Sequence, residues 1–251
     1  RDSRRAINIH NQRKNAEKEL IKSQKRTEEL IQEMDNNQKR FKEKMQELRN
    51  VAIDLNEEIL EILEEHRKWF FDQDLSELYV DQKGDSNALY ASSREYLDWM
   101  LQKPMGKEKG QHAGPPELIR NVYFGVGARS PDKFKKESES FNDKLVKFLG
   151  ARHSAVHVYY PKDGYMGWHN NWDVPGFNIL FNYSNGDGWF HYLEGNEIKK
   201  MIDPKGWSAK VGYYGGQDDP FWHCAGGGPR ITLGFVIPDQ SMWEMMVEDI
   251  T

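Results

Sequence analysis

Between Ala16 and Trp69 the chain contains neither proline nor glycine, and this run limits its fold more than any other feature. Candidate seam positions recur within it at alternating four- and three-residue steps. They run Ala16, Leu20, Ser23, Thr27, Leu30, Met34, Asn37 and Phe41, then Met45, Leu48, Ala52, Leu55, Ile59, Ile62, His66 and Trp69. The spacing predicts a heptad-like helix, a rod of roughly 80 Å at ~1.5 Å rise per residue. Two consecutive four-residue steps at Asn37, Phe41 and Met45 would locally relax a left-handed supercoil. No turn signal interrupts the run, which favours an intermolecular coiled coil over a hairpin folded back on the rest of the chain. One long solvated helix is the simpler alternative. In a coiled coil, Asn37 is the kind of polar seam residue that fixes register.

The remainder of the chain has a different composition. Five of the eight Trp fall between Trp168 and Trp222, whereas Lys, Arg, Glu and Gln dominate the start. A hydrophobic fraction of 37% over 251 residues is low for a wholly globular chain and agrees with an elongated part. The formal net charge of -5 gives no general attraction to nucleic acid or anionic membranes, so nucleic acid enters only as a substrate. The single cysteine, Cys224, excludes an intramolecular disulfide framework and a Cys-rich zinc site. No run reaches the roughly 18 apolar residues of a membrane span. The expectation is a soluble cytoplasmic protein, or one incorporated into a virion assembled in a cell. The chain opens on Arg1 rather than Met, which reads as a processed or shortened product.

Between Phe71 and Pro116 the pattern breaks up around Gly84, Pro104, Gly106, Gly110, Gly114 and the Pro115-Pro116 pair. This predicts a connector with a mobile stretch near Lys103 to Gly114 and a short helix over Ser92 to Gln102. A second helix is expected over Asp132 to Leu149, with Phe134, Phe141, Leu145, Val146 and Leu149 on one face and Gly150 as its stop. Strand-like runs follow at Ser154–Tyr160, Gly176–Tyr183, Gly188–Tyr192, Trp207–Tyr214 and Arg230–Ile237. Short strands at this spacing suggest a sandwich or barrel. The fold class expected is therefore α+β, a long N-terminal coiled-coil helix followed by a jelly-roll domain with supporting helices. The expected domains are residues 1–72, a connector over 73–117, and a jelly-roll domain over 118–251.

A histidine, His169, follows a turn and a strand-like run in Tyr160-Pro161-Lys162-Asp163-Gly164-Tyr165-Met166-Gly167-Trp168-His169-Asn170-Asn171. A second, His223, lies 54 positions on, and Arg230 begins an apolar strand seven positions after it. From about Leu118 to Ile237 the chain resembles the 2-oxoglutarate and Fe(II) oxygenases. In that family a His-x-Asp/Glu pair and a distal His hold iron, and a following Arg or Lys binds the far carboxylate of 2-oxoglutarate. The likeness extends to Phe177-Asn178-Ile179-Leu180-Phe181-Asn182-Tyr183-Ser184 with Gly186-Asp187-Gly188-Trp189-Phe190, and to Trp207–Tyr214 with Gly215-Gly216. On the wording Trp-His-x-Asn and Asn-Ile-Leu-Phe it is similar in particular to oxygenase-like proteins of large tailed phages of marine bacteria. The resemblance implies a double-stranded β-helix, Fe(II) and 2-oxoglutarate as cofactors, His169 and His223 as metal ligands and Arg230 as the co-substrate anchor, with Tyr160 and Asn178 on the pocket wall. Two imidazoles and a carboxylate on one face leave three positions open on iron, and a planar guanidinium meets a carboxylate with two prongs.

The sequence departs from the pattern where the acidic ligand is due, because that position is Asn171. Three readings stay open: iron held by His169, His223 and the Asn171 carbonyl; a carboxylate from elsewhere; or a fold that has lost its chemistry and serves as a structural or assembly module. Asp173 is the first candidate carboxylate. It lies ~13 Å along a regular strand from His169, and only a bend at Pro175-Gly176 would return it; Asp187 is a weaker substitute. The leading expectation is a hydroxylase of a protein side chain or nucleobase. It would be oligomeric through its N-terminal helix, with other subunits of a larger assembly as further partners. His153, His157 and His191 read as structural histidines. A Cys224-His223 nucleophilic pair is disfavoured because adjacent strand residues face opposite ways. Gly226-Gly227-Gly228 lacks the Lys-Ser/Thr and helix of a phosphate loop. The Trp residues read mostly as core, with Trp168 and Trp172 the two candidates for stacking on a substrate ring.

Overall fold

The computed structural model describes residues 2–49, 54–85, 87–104, 117–125, 129 and 131–251, and within the first helix the side chains at 14, 18–41 and 43. The chain divides into two compact units, residues 1–47 and 48–251. The first is helix α1 (Asp2–Arg49). Its described side chains are exposed except for the half-buried Phe41, and Leu20, Ile21, Leu30, Ile31 and Met34 are each more than half exposed. The i,i+4 pairs Lys25–Glu29 and Lys39–Glu43, both at 3.9 Å, are exposed and add little.

The seam read over Ala16–Trp69 does not run through one helix. Residues 54–56 are non-helical, and Asn56 starts a separate helix, α2 (Glu57–Phe71), by accepting from the Ile59 amide at 3.1 Å. The Asn56 amide in turn donates to the Ile250 carbonyl at 2.9 Å, which fixes where α2 begins on the globular unit. Ile59, Leu63, His66 and Phe70 are buried, so the apolar stripe of α2 is satisfied within its own unit and not by a second chain. The proposed domain limit near residue 72 thus falls inside a packed structure. The side chains of the seam residues Met45 and Leu48, residue Ala52, and the glycine- and proline-rich stretch with Gly106, Gly110, Gly114, Pro115 and Pro116 lie outside what is described.

The globular unit is α+β. Its helices after α2 are α3 (Ala88–Ala91), α4 (Arg94–Leu101), α5 (Asp132–Leu149) and α6 (Gln240–Asp249). The strands are β1 (Asp81–Lys83), β2 (Ile119–Tyr123), β3 (His153–Tyr160), β4 (Tyr165–His169), β5 (Gly176–Ser184), β6 (Trp189–Glu194), β7 (Glu197–Ile202), β8 (Gly206–Tyr214), β9 (His223–Gly226) and β10 (Arg230–Ile237). All pairings are antiparallel, in the order β7-β6-β9-β4-β2-β3-β10-β5-β8, with β1 on β2. Strand β2 pairs with β4 through Ile119 and Arg120 and with β3 through Val122 and Tyr123, so the sheet curls about it. The two limbs then meet in one cluster, Val158 and Tyr160 against Met166, Phe190, Tyr192 and Ala225.

On the β3-β10-β5-β8 limb the two faces differ in chemistry. Ile231, Leu233, Phe235 and Ile237, with Ile179, Phe181, Ala209 and Val211, are buried on the outer face under the helices. Phe70 of α2 meets Tyr159 at 5.1 Å and Phe134 of α5 at 5.5 Å, and Trp243 of α6 meets Phe177 at 6.0 Å. The inner face carries Arg230, Thr232, Asn182, Ser208 and Lys210, all buried. Helix α5 spans the expected residues and ends at Gly150 in the left-handed conformation (φ 59°), as a C-terminal glycine permits. No helix among the described residues is long and apolar enough to cross a membrane.

A chain beginning at Asp54 is expected to melt within a few degrees of the full chain, whereas one beginning at Gln73 loses the buried stripe of α2. Each large apolar side chain there contributes roughly 1.5–3 kcal/mol, a sum comparable with the total stability of a domain, about 5–15 kcal/mol. The shorter chain should therefore lack a cooperative thermal transition by circular dichroism, and an unchanged melt would show that α2 is dispensable.

Candidate functional site

The curled sheet encloses a cavity of about 190 Å³ lined from both limbs, including Tyr160, His169, Asn171, Asn178, Asn182, His223, Arg230 and Thr232. Of the residues singled out in the sequence, His169, His223, Asn171, Arg230, Tyr160 and Asn178 are brought together here. Asp173 is not: it is exposed in the turn closed by the Val174 amide on the Asn171 carbonyl at 3.0 Å, outside the cavity lining. The chain turns at Asn171–Val174, before the expected bend at Pro175-Gly176, and leaves Asn171 in the cavity lining and Asp173 exposed. Asp187 is likewise exposed and outside the lining.

His169 and His223 are direct partners in the β4–β9 register, with ring centroids 4.2 Å apart. The pairing shifts between Met166 and His169, a β-bulge of the kind that re-aims side chains beside functional sites. Gly167 lies in that bulge, where a Cβ would meet the Leu118 carbonyl at 3.0 Å and the Tyr96 ring at 3.1 Å. Each imidazole Nδ1 lies 2.9 Å from a carbonyl oxygen two residues back, that of Gly167 for His169 and Phe221 for His223. A carbonyl only accepts, so each Nδ1 carries its proton there and Nε2 holds the lone pair of the neutral ring. Burial pushes His169 down to about 4, against hydrogen bonds to the Gly167 and His223 backbone that raise it. Burial and then the neighbouring His169 push His223 well below its usual range. Two neutral imidazoles with anchored Nδ1–H groups are the form in which histidine binds metals.

At the other end of the lining, Arg230 is 1% exposed and held on several sides. Its Nε donates to Asp203 Oδ2 at 2.6 Å, one terminal nitrogen to Thr232 Oγ1 at 2.5 Å and the other to Asn182 Oδ1 at 2.6 Å. The guanidinium also lies over the Tyr160 ring, 5.0 Å from its centroid. The second oxygen of Asp203 accepts from the Lys210 ammonium, itself 6% exposed. Burial would raise the Asp203 carboxyl, but Arg230 and Lys210 hold it down to about 2. Burial lowers Lys210 to about 8 despite Asp203. Asp203, Lys210, Asn182 and Thr232 were not singled out in the sequence. The available signal was polarity out of place, a lysine inside the apolar run Trp207–Tyr214 and an asparagine inside Phe177–Tyr183.

The remaining expectations divide. His157 is structural, stacked on Phe124 at 5.5 Å with its Nε2 3.1 Å from Ser154 Oγ. His191 packs on Trp189 at 4.7 Å, whereas His153 is exposed and lines the cavity rim. Trp168 is fully buried on the opposite face of β4, packed with Tyr96, Trp222 and Cys224 and donating to the Ser93 carbonyl at 3.0 Å, so it is core and cannot stack on a ligand. Trp172 is half-buried and outside the lining. Burial raises the Cys224 thiol far above its usual range, on the side away from His223, which removes it as a nucleophile.

Among the described residues no group of three or more His, Cys, Asp or Glu side chains converges on one point. The donor set is therefore two imidazoles with a neutral amide, Asn171, in the same cavity. Imidazole nitrogen suits Fe, Ni, Cu or Zn, and the anchored Nδ1–H groups fit a metal at Nε2. Comparison of the chain with protein-family models, with curated proteins and with solved structures found no match.

The buried imidazoles make stability depend on pH. His66 is lowered to about 3 by burial and by His157, and His157 and His169 to about 4 by burial, from 6.5. Between about pH 6.5 and 4 the unfolded chain binds more protons than the folded one. The contribution of these rings is complete above 6.5 and is lost as pH falls, by up to ~1.4 kcal/mol per group per pH unit. A fall in melting temperature on the order of 10 °C between pH 7 and 5 is expected, with a shallower slope in His66→Phe. A melting temperature indifferent to pH over this range would contradict the assignment.

Proposed function

We propose that the globular unit is a double-stranded β-helix of the 2-oxoglutarate and Fe(II) oxygenase type, acting as a hydroxylase. Supporting this reading above all is the facing pair His169 and His223, neutral and anchored through Nδ1, in one cavity with a buried arginine. His169 and His223 would hold the metal through Nε2, with the Asn171 amide oxygen as the third protein donor. Bound iron would supply the oxygen-activating chemistry. The chain's own part is to keep the imidazoles deprotonated by burial, to orient them through the Gly167 and Phe221 carbonyls, and to pair the acid end of the co-substrate with Arg230. Phe190, Phe221 and Tyr214 around His223, at 5.5, 5.3 and 4.9 Å, restrict water beside the ring.

In the anaerobic full chain, one Fe(II) per chain is expected, with a charge-transfer absorption band appearing when 2-oxoglutarate is added. His169→Ala and His223→Ala should abolish both. Asn171→Asp should tighten Fe(II) binding by more than tenfold, because it adds the charge that the amide lacks. A second reading, a module used in a larger assembly such as a virion, is favoured by the absence of a carboxylate beside the histidines among the described residues. A native chain that binds no iron would leave that second reading in place of the enzyme.

Helix α1 would act as the oligomerising rod of either form. An isolated helix in water gains little from propensity alone, and α1 exposes Leu20, Leu30 and Met34 at seam positions, so a second copy is the occupant that a heptad pattern fits. Sedimentation is expected to give an oligomer for the full chain and a monomer for a chain beginning at Asp54. Equal oligomeric states would rule the rod out as the cause of association.

A further inference from the structure

Asn178 and Asn182 both lie on the inner face of β5 and line the cavity, and each turns its amide nitrogen back onto its own strand. Asn178 Nδ2 donates to the Gly176 carbonyl at 2.9 Å and Asn182 Nδ2 to the Leu180 carbonyl at 3.0 Å. A carbonyl only accepts, so the nitrogen of each amide is committed there and Oδ1 is the atom left to bond elsewhere. Antiparallel partners share a face, and here the two asparagines differ. Asn182 stands between Thr232 of β10 and Ser208 of β8, and its Oδ1 accepts from Thr232 Oγ1 at 3.0 Å and from Arg230 at 2.6 Å. Asn178 stands between Val236 and Gly212, neither of which has a side-chain donor. Its Oδ1 has no hydrogen-bond partner among the described residues, although the residue is only 5% exposed.

An acceptor kept from water is costly until a donor reaches it, and this one is held rigidly. The Asn178 carbonyl accepts from Trp243 Nε1 at 3.1 Å, so main chain and amide are both fixed before any ligand arrives. The donor that completes it cannot belong to a co-substrate gripped by Arg230. That guanidinium bonds Asn182, and Asn178 is four residues away, ~13 Å along the strand at ~3.3 Å per residue, a span longer than 2-oxoglutarate. The wall role beside the co-substrate that the resemblance implies for Asn178 therefore gives way to one on a different ligand. Ala155, Val156, Val174 and Val236 line the same cavity, and the row Asn178–Val236 continues across β10 to His153 at the rim. Asn178 is thus a single fixed acceptor beside uncharged, apolar neighbours.

We propose that Asn178 Oδ1 is a specificity-determining acceptor for the substrate, and that the part of the substrate entering here is an uncharged group with one N–H or O–H donor set in apolar carbon, a neutral alcohol or amide. That this ligand is a substrate rests on the oxygenase reading; the open acceptor belongs to the chain itself.

The test titrates the full chain with cyclopentanol and cyclopentanone, uncharged rings of one carbon skeleton of which the alcohol alone donates, and follows the Asn178 side-chain amide by NMR. Each titration is run anaerobically without metal, with Fe(II), and with Fe(II) and 2-oxoglutarate. The native chain should bind the alcohol about tenfold more tightly than the ketone, and 2-oxoglutarate should leave that affinity unchanged. Asn178→Leu, similar in size and without an acceptor, should bind both equally, read from the backbone amides of β5. Asn178→Thr, which serves if the leucine variant does not fold, adds a hydroxyl donor and should raise the ketone to the level of the alcohol. Equal native affinities, failure of both probes to bind, a preference that survives in the variants, or displacement of the alcohol by 2-oxoglutarate would overturn the subsite without touching the histidine pair. Absence of Fe(II) binding, with the alcohol preference present in the native chain and lost in the variants, would overturn the oxygenase reading and leave the subsite standing.

Discussion

Asp203 is the one acidic side chain buried among the described residues, and it sits between two buried cations, Arg230 and Lys210. Taking three charges out of water costs several kcal/mol per ion, and the cost is recovered only when geometry and hydrogen bonds are complete. That requirement fixes much of the unit. Arg230 begins β10, Asn182 lies on β5, Lys210 on β8 and Asp203 in the connection after β7, so one network pins three adjacent strands and the turn that joins the two limbs. A slip of one residue in either β5 pairing would carry a charge to the apolar outer face. Gly188 follows from the same constraint, since any Cβ there would strike the Asp203 carboxylate or Ser184 Oγ.

The difference between the two faces of this limb follows from that placement. The outer face is covered by α2, α5 and α6 and is built from Ile, Leu, Phe and Val, while the inner face holds polar groups that water does not reach. A hydrophobic core would normally fill the space between two limbs of a sheet. Here the aromatic cluster around Tyr160, Phe190 and Tyr192 fills part of it, and a cavity that His169, Asn182, His223 and Arg230 help to line occupies the rest. Polar side chains kept dry on rigid strands cost stability unless each is hydrogen-bonded, and Arg230, Asp203, Asn182, Thr232 and Lys210 meet that condition through one another.

How much of this was legible in the sequence depended on whether a signal was local. Helix α5 was, because a 3.6-residue stripe and a C-terminal glycine are sufficient, and so were β3, β5, β6, β8 and β10, whose apolar or alternating runs mark strands over nearly the observed spans. Strands β7, Glu197–Ile202, and β9, His223–Gly226, escaped because one is polar with two lysines and the other has only four residues, too few to show an apolar run. The division of the seam was also invisible. Leu55, Ile59, Ile62 and His66 continue the heptad spacing of α1, and periodicity states which face is apolar without stating what will cover it. What decided the matter was Asn56, a cap bonded to the far end of the chain at Ile250, 194 positions away. The Asp203 network was hidden for the same reason, since Asp203 precedes Pro204 in an unremarkable turn sequence and gains meaning only when Lys210 and Arg230 close around it.

The candidate site was read from three residues, His169, His223 and Arg230, and the structure brings all three to one cavity together with Asn171. The open question at Asn171 was where a carboxylate would come from, and the charge distribution gives an answer. Asp173 and Asp187 stay in water, and the buried acid, Asp203, is committed to the two cations at 2.6 Å from Arg230 Nε. The imidazoles are left with a neutral amide, and the cationic cluster is left one charge positive. Both ends of the cavity thus lack negative charge, and neither can borrow it from the protein without breaking the network that sets the strand register.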